Sequence, residues 1–167
     1  MAVPLGIFWD IENCQVPRNK SAKSVVKKIR ELLEEKHPEC GFPNEFICVC
    51  DIGKVDKRIQ DELGRTEVLI VHVSLKAKNA ADDKLQELIE KFSLGKDKAV
   101  ICLITGDVNF LKTVRNSRLK NLDVVLIYCQ KNYSTELVDC AKETYVFEDV
   151  IKEADNFNKK EARIETS

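Results

Sequence analysis

The feature that most constrains this chain is a recurring unit. A short apolar run without polar alternation ends at or near an aspartate and is followed by a segment of helical period. Residues 5–9 (LGIFW) end at Asp10, residues 46–50 (FICVC) at Asp51, and residues 100–104 (VICLI) at Thr105-Gly106-Asp107. Strands that keep one face wet alternate apolar with polar, whereas strands buried on both faces do not. Interleaved with helices, such strands predict a three-layer α/β/α domain around a central, mostly parallel sheet.

The spacing predicts further strands at 68–73, 124–128 and 144–147. It predicts helices at 21–35, 56–63, 81–92, 110–119 and 134–141, with helical turns at 148–154. Gly64 would lie just past the end of the second helix. One domain over 1–154 and a polar tail over 155–167 account for the 167 residues.

In parallel α/β sheets, ligands bind outside the carboxyl ends of the strands, at a topological switch point. Asp10, Asp51 and Asp107 fall at that edge, and Asp82 and Asp83 open the helix after the third strand. Taken singly, each aspartate reads as a turn former or a helix cap. Their gathering at one edge reverses that reading, because neighbouring carboxylates repel one another unless a cation intervenes. Mg²⁺ and Mn²⁺ favour such oxygen ligands and could polarise a phosphodiester and activate water. Asp82, three residues before Leu85, lies nearer the apolar stripe of its helix than Asp83, so Asp82 is the inner ligand and Asp83 the outer. Asp51 stands even between a supporting role and a turn. Asn13 could orient a water or a phosphate, or form an Asx turn. Thr105 offers a hydroxyl to a phosphate or water, or is a buried threonine.

Composition narrows the function. Twenty-seven Lys+Arg nearly cancel 28 Asp+Glu, for a net charge of −1. A uniformly basic nucleic-acid coat is excluded, so a polyanion would need a local patch or metal ions. Arg18, Lys76 and Lys78 leave the predicted acidic edge and are the best placed to hold a phosphate backbone, while most other lysines read as solvated helix faces. Tyr133 could stack on a base. His72, inside an apolar run, reads as a packed core residue. No membrane span and no signal peptide are legible, and the seven cysteines show no zinc spacing, so a reducing, cytoplasmic setting is expected.

Phe8-Trp9-Asp10-Ile11-Glu12-Asn13, Lys78-Asn79-Ala80-Ala81-Asp82-Asp83-Lys84-Leu85 and Thr105-Gly106-Asp107-Val108-Asn109-Phe110 resemble, in order, the successive motifs of NYN domains, members of the PIN-like nuclease superfamily. The resemblance implies a Mg²⁺- or Mn²⁺-dependent endoribonuclease acting on single-stranded RNA. It puts Asp10, Asp82 and Asp107 on the family's acidic positions and Asn13 on its polar position. It matches Asp83 and Asp51 to acids found in some members. Relatives often carry a second acid where this chain has Asn109, which puts a second metal site in question. A non-catalytic RNA-binding or adaptor domain is the alternative, and targeting RNA-binding domains or adaptor proteins would be supplied elsewhere. The oligomeric state, a homodimer included, stays open. A phosphohydrolase with an Asp-x-Asp nucleophile fits less well, since Glu12 holds its second position.

Overall fold

A computed structural model describes residues 2–74 and 79–158. Six strands, β1 (Leu5–Asp10), β2 (Glu45–Cys50), β3 (Leu69–His72), β4 (Val100–Ile104), β5 (Asp123–Tyr128) and β6 (Glu143–Val146), form one sheet in the order β3-β2-β1-β4-β5-β6. Every pairing is parallel. The helices are α1 (Ala22–Lys36), α2 (Lys57–Gly64), α3 (Ala80–Ser93), α4 (Leu111–Leu119), α5 (Thr135–Cys140) and α6 (Phe147–Val150), with 3₁₀ turns at Ile52–Lys54 and Val108–Phe110.

Period-two geometry sends alternate strand residues to opposite faces. Ile7, Trp9, Cys48, Cys102 and Ile127 pack with Val25, Ile29 and Leu33 of α1, Ile59 and Leu63 of α2, and Phe147 of α6. Phe8, Val49, Leu103 and Leu126 pack with Leu85, Ile89 and Phe92 of α3, Val114 of α4 and Leu137 of α5. Helices therefore cover both faces, which is why the inner strands show no polar alternation. Gly6 permits this closeness on the α3 side: a Cβ there would lie 2.7 Å from Phe8 Cε2 and 3.2 Å from Phe92 Cδ1.

The caps follow local chemistry. Ser21 and Ser134 accept backbone N–H bonds from Ser24 and Leu137 and start α1 and α5. Gly64 is the last residue of α2 rather than its terminator, and the left-handed turn comes at Glu67. The third strand is a four-residue edge strand, with Leu69 and His72 exposed. His72 is thus not a core residue: at the sheet margin its Nδ1 accepts the Ile52 N–H at 3.1 Å. The first residues beyond 154 pack on the domain. Asn156 bridges to Lys20, and the Phe157 N–H donates to the Asn19 carbonyl. None of the seven cysteines forms a disulfide.

Candidate active site

The strand order reverses between β1 and β4, so the crevice of this sheet opens between the end of β1 and the turn after β4. Asp10 is the last residue of β1, and the turn after β4 is Thr105-Gly106-Asp107. Asp10 shares strand parity with Phe8 and so lies on the α3 face. Asp82 is in the first turn of α3, which contacts β1. Asp10 is 4% exposed and Asp82 7% exposed, whereas Asp83 faces solvent. The burial order expected from helical geometry holds for this pair.

Asp10 accepts a 2.9 Å hydrogen bond from the Thr105 hydroxyl. Burial pushes its carboxyl up to about 7; the Thr105 bond opposes that, and the charges of Asp82, Asp107 and Glu12 add to it. Asp82 is also raised, by burial first and then by Asp107 and Asp83, against a 2.9 Å hydrogen bond from Asn109 Nδ2. No Lys, Arg or His forms an ion pair with Asp10, Asp82 or Asp107 among the described residues. Buried carboxylates without a cationic mate are a functional-site signature.

Backbone and amide groups fix the frame. The Asn13 side-chain oxygen accepts the Gly106 N–H at 2.9 Å, which ties the turn after β1 to the turn after β4. The Asp107 N–H donates to Thr105 Oγ1, and Asp107 Oδ1 accepts the Asn109 N–H at 2.9 Å. Gly106 lies against the loop before α5: a Cβ there would be 2.4 Å from the Asn132 carbonyl oxygen and 2.7 Å from Tyr133 Cα.

Three expectations change. Thr105 is fully buried and serves Asp10 and Asp107, so it is a positioning residue rather than an RNA contact. Asp51 caps the 3₁₀ turn at Ile52–Lys54 by accepting the Gly53 N–H at 2.9 Å, and its charge is not among the main influences on Asp10. It belongs to that turn, not to the acidic centre. Asn13 spends its oxygen on Gly106, leaving its amide NH₂ as the group that could reach a ligand. Arg18 is exposed beside the end of β1, and Lys76 and Lys78 lie outside the described residues. Lys20 is engaged by the carbonyls of Lys152 and Ala154.

Sequence reasoning placed Glu12 only as the second position of the Asp-x-Asp alternative. It acts on Asp10 electrostatically and its Oε2 accepts the Asp51 N–H. Its place in the turn directly after β1, two residues beyond Asp10, was the available signal.

Asp10, Asp82 and Asp107 are the residues that could hold a cation. Among the described residues no three His, Cys, Asp or Glu side chains form a ready ligand set. Carboxylate oxygens are hard donors of the kind that Mg²⁺ and Mn²⁺ favour.

The NYN domain model matches residues 4–149. The chain belongs to the NYN domain family. NYN domains are a nuclease-like family of PIN type, and Asp10, Asp82 and Asp107 all fall within the matched span. The NYN domain is 40% identical over 151 residues to meiosis regulator and mRNA stability factor 1 of Xenopus tropicalis, covering 90% of this chain and 9% of that protein. The same protein of Bos taurus is 40% identical over 153 residues, covering 90% and 8%. The chain thus spans less than a tenth of the length of these relatives. A crystal structure of a Vibrio parahaemolyticus protein of unknown function shares the fold, with TM-score 0.63 and 16% identity over 89% of this chain and 95% of the other. Among the described residues of the NYN domain, no helix is long and apolar enough to cross a membrane.

Proposed function

We propose that this NYN domain is a Mg²⁺- or Mn²⁺-dependent endoribonuclease that cleaves single-stranded RNA by hydrolysis. The observation that carries the reading is the pair of buried carboxylates, Asp10 and Asp82, at the switch point of the sheet beside Asp107, with no Lys, Arg or His ion pair to them among the described residues. Asp10 and Asp107 would hold the ion from the two strand ends, with Asp82 completing or orienting its water shell. When bound, the ion supplies Lewis acidity toward a phosphodiester and toward water. Thr105 keeps Asp10 in one rotamer, and Asn13 holds the two turns at fixed separation. Asp83 lies at the mouth, where it could orient an approaching water.

The relatives' name links them to mRNA stability, which agrees with an RNA substrate and a role in mRNA decay in the cytoplasm. Target choice would come from RNA-binding domains or adaptor proteins outside this domain, and a homodimer is compatible with the domain acting alone on RNA. The deciding assay incubates unstructured RNA with the protein in Mn²⁺, Mg²⁺ or EDTA, beside Asp107→Asn. Internal cleavage with a metal, loss in EDTA and a drop of roughly 100-fold or more in the variant are expected. No cleavage with either metal, or full activity in Asp107→Asn, removes the reading.

One observation favours a second reading, a non-catalytic RNA-binding or adaptor domain. Asn109 replaces an acid with an amide that donates to Asp82, so part of the charge available to a second ion is gone. RNA binding without turnover under any metal would select it.

A further inference from the structure

A cavity lies beside the aspartates, not at them. It has a volume of about 500 Å³ and lies between the turn after β1, the 3₁₀ turn at Ile52–Lys54, α2 and the C-terminal segment at Phe157. Its apolar wall includes Ile11, Val55 and Ile59, and Phe157 closes one side. The Phe157 ring is braced by the Arg58 guanidinium, 4.1 Å from the ring centroid. Arg18 and Lys54 stand exposed on the rim and have no ion-pair or hydrogen-bond partner for their side chains among the described residues. Glu12 belongs to both places: it lines the cavity and its charge acts on Asp10.

We propose that this cavity seats one nucleobase of a single-stranded RNA, with the adjoining phosphates held by Arg18 and Lys54. The proposal rests on the RNA-cleaving reading above and adds the path of the strand, which crosses the sheet edge at Glu12 from the α3 face to the α2 face. An apolar slot with one aromatic wall suits a base, because every base has a flat face to stack. The volume lies in the range of small-molecule sites. The acids of the wall, Glu12 and Asp56, and the Gln15 amide meet the polar edge of a base, while phosphates stay at the cationic rim. Arg58 contributes structure more than free charge, since Glu62 pairs with it at 2.8 Å and it donates to the Lys20 and Arg18 carbonyls.

The test uses the full chain carrying Asp107→Asn and a fluorescent single-stranded RNA of about 12 nucleotides, within the span that stacking grooves bind. Lys54→Glu, at an exposed position, and Phe157→Ala should each raise Kd roughly tenfold. Photoreactive thiouridine in the RNA should cross-link to peptides that contain Val55, Arg58 or Phe157. Unchanged affinity in Lys54→Glu, or cross-links confined to other faces, overturns the proposal. Displacement of the RNA by an equal concentration of free nucleoside monophosphate would assign the cavity to a small ligand and also overturn it. Cleavage by the unmodified chain in Mn²⁺ is measured in parallel. Cavity-dependent binding without cleavage removes the nuclease reading and keeps the cavity. Cleavage with cavity-independent binding does the reverse.

Discussion

The Thr105 hydroxyl donates to Asp10 Oδ2 at 2.9 Å, joining the end of β4 to the end of β1 across 95 residues of chain. The same oxygen accepts the Asp107 N–H at 3.2 Å, so one buried hydroxyl sets two carboxylates at once.

Thr105→Val removes both bonds while nearly conserving volume. Asp10 then loses the interaction that lowers its proton affinity, so the acidic limb of the pH–rate profile moves to higher pH. Cleavage should fall roughly 10- to 100-fold, and Thr105→Ser should restore most of it. A pH–rate series on the three proteins checks this, and an unshifted limb in the valine variant contradicts it.

Asp10→Asn should stabilise the metal-free protein. The folded carboxyl is raised to about 7 from its ordinary 3.8. Its contribution to stability is therefore fully present below about 3.8 and lost as pH rises through about 7. At pH 8 in EDTA the buried charge is uncompensated, at a cost on the order of a few kcal/mol. The variant should then melt several degrees higher than the parent, and added Mn²⁺ should raise the parent's Tm more than the variant's. A lower Tm for the variant in EDTA would count against the site.

Gly106→Ala places a methyl group against backbone that cannot swing aside, the Asn132 carbonyl oxygen and Tyr133 Cα. The turn before Asp107 must move away from the loop before α5, at about 1–3 kcal/mol. Lost Ser134 N–H to Gly106 carbonyl bonding should appear as faster amide exchange at Ser134, together with reduced cleavage. Parental exchange and activity would show that the contact is unimportant.

His37 predicts a pH dependence at the opposite end of the sheet. Its ring nitrogens face Glu39 at 3.1 Å and Glu143 at 2.7 Å, an arrangement that wants both nitrogens protonated. Burial lowers its proton affinity, but the hydrogen bonds to Glu143 and Glu39 outweigh it, and the net shift is upward. A raised histidine stabilises fully below its ordinary value and loses that contribution as pH rises through the folded one. Tm should fall by roughly a few degrees over that window and fall less in Glu143→Gln. Thermal melts across neutral pH decide it, and equal slopes for both proteins would reject it.

Much of this was legible in the chain. Inner strands declare themselves because burial on both faces removes polar alternation, as in residues 46–50 and 100–104. The helix stripe separated Asp82 from Asp83 because a 100° turn per residue suffices to rank two neighbours. His72 misled because an edge strand carries the same β-branched residues as an inner one, and only the strand order reveals the missing neighbour. Asp51 stood undecided because a strand-end acid looks the same whether its oxygens face a site or the next backbone N–H.

The layered α/β class, the positions of the helices and the gathering of acids at the carboxyl ends of parallel strands are written in the sequence. These depend on periodicity and on neighbours a few residues apart. Which acids form the centre depends on the three-dimensional packing. Crossing β1 to β4 at the switch point brought Asp10, Asp107 and Thr105 together, while β2 carried Asp51 into a turn of its own. The same packing set Phe157 against Arg58 and opened the cavity beside Glu12. Distances between groups far apart in the chain follow from how strands are ordered and helices packed, and no local pattern encodes that order.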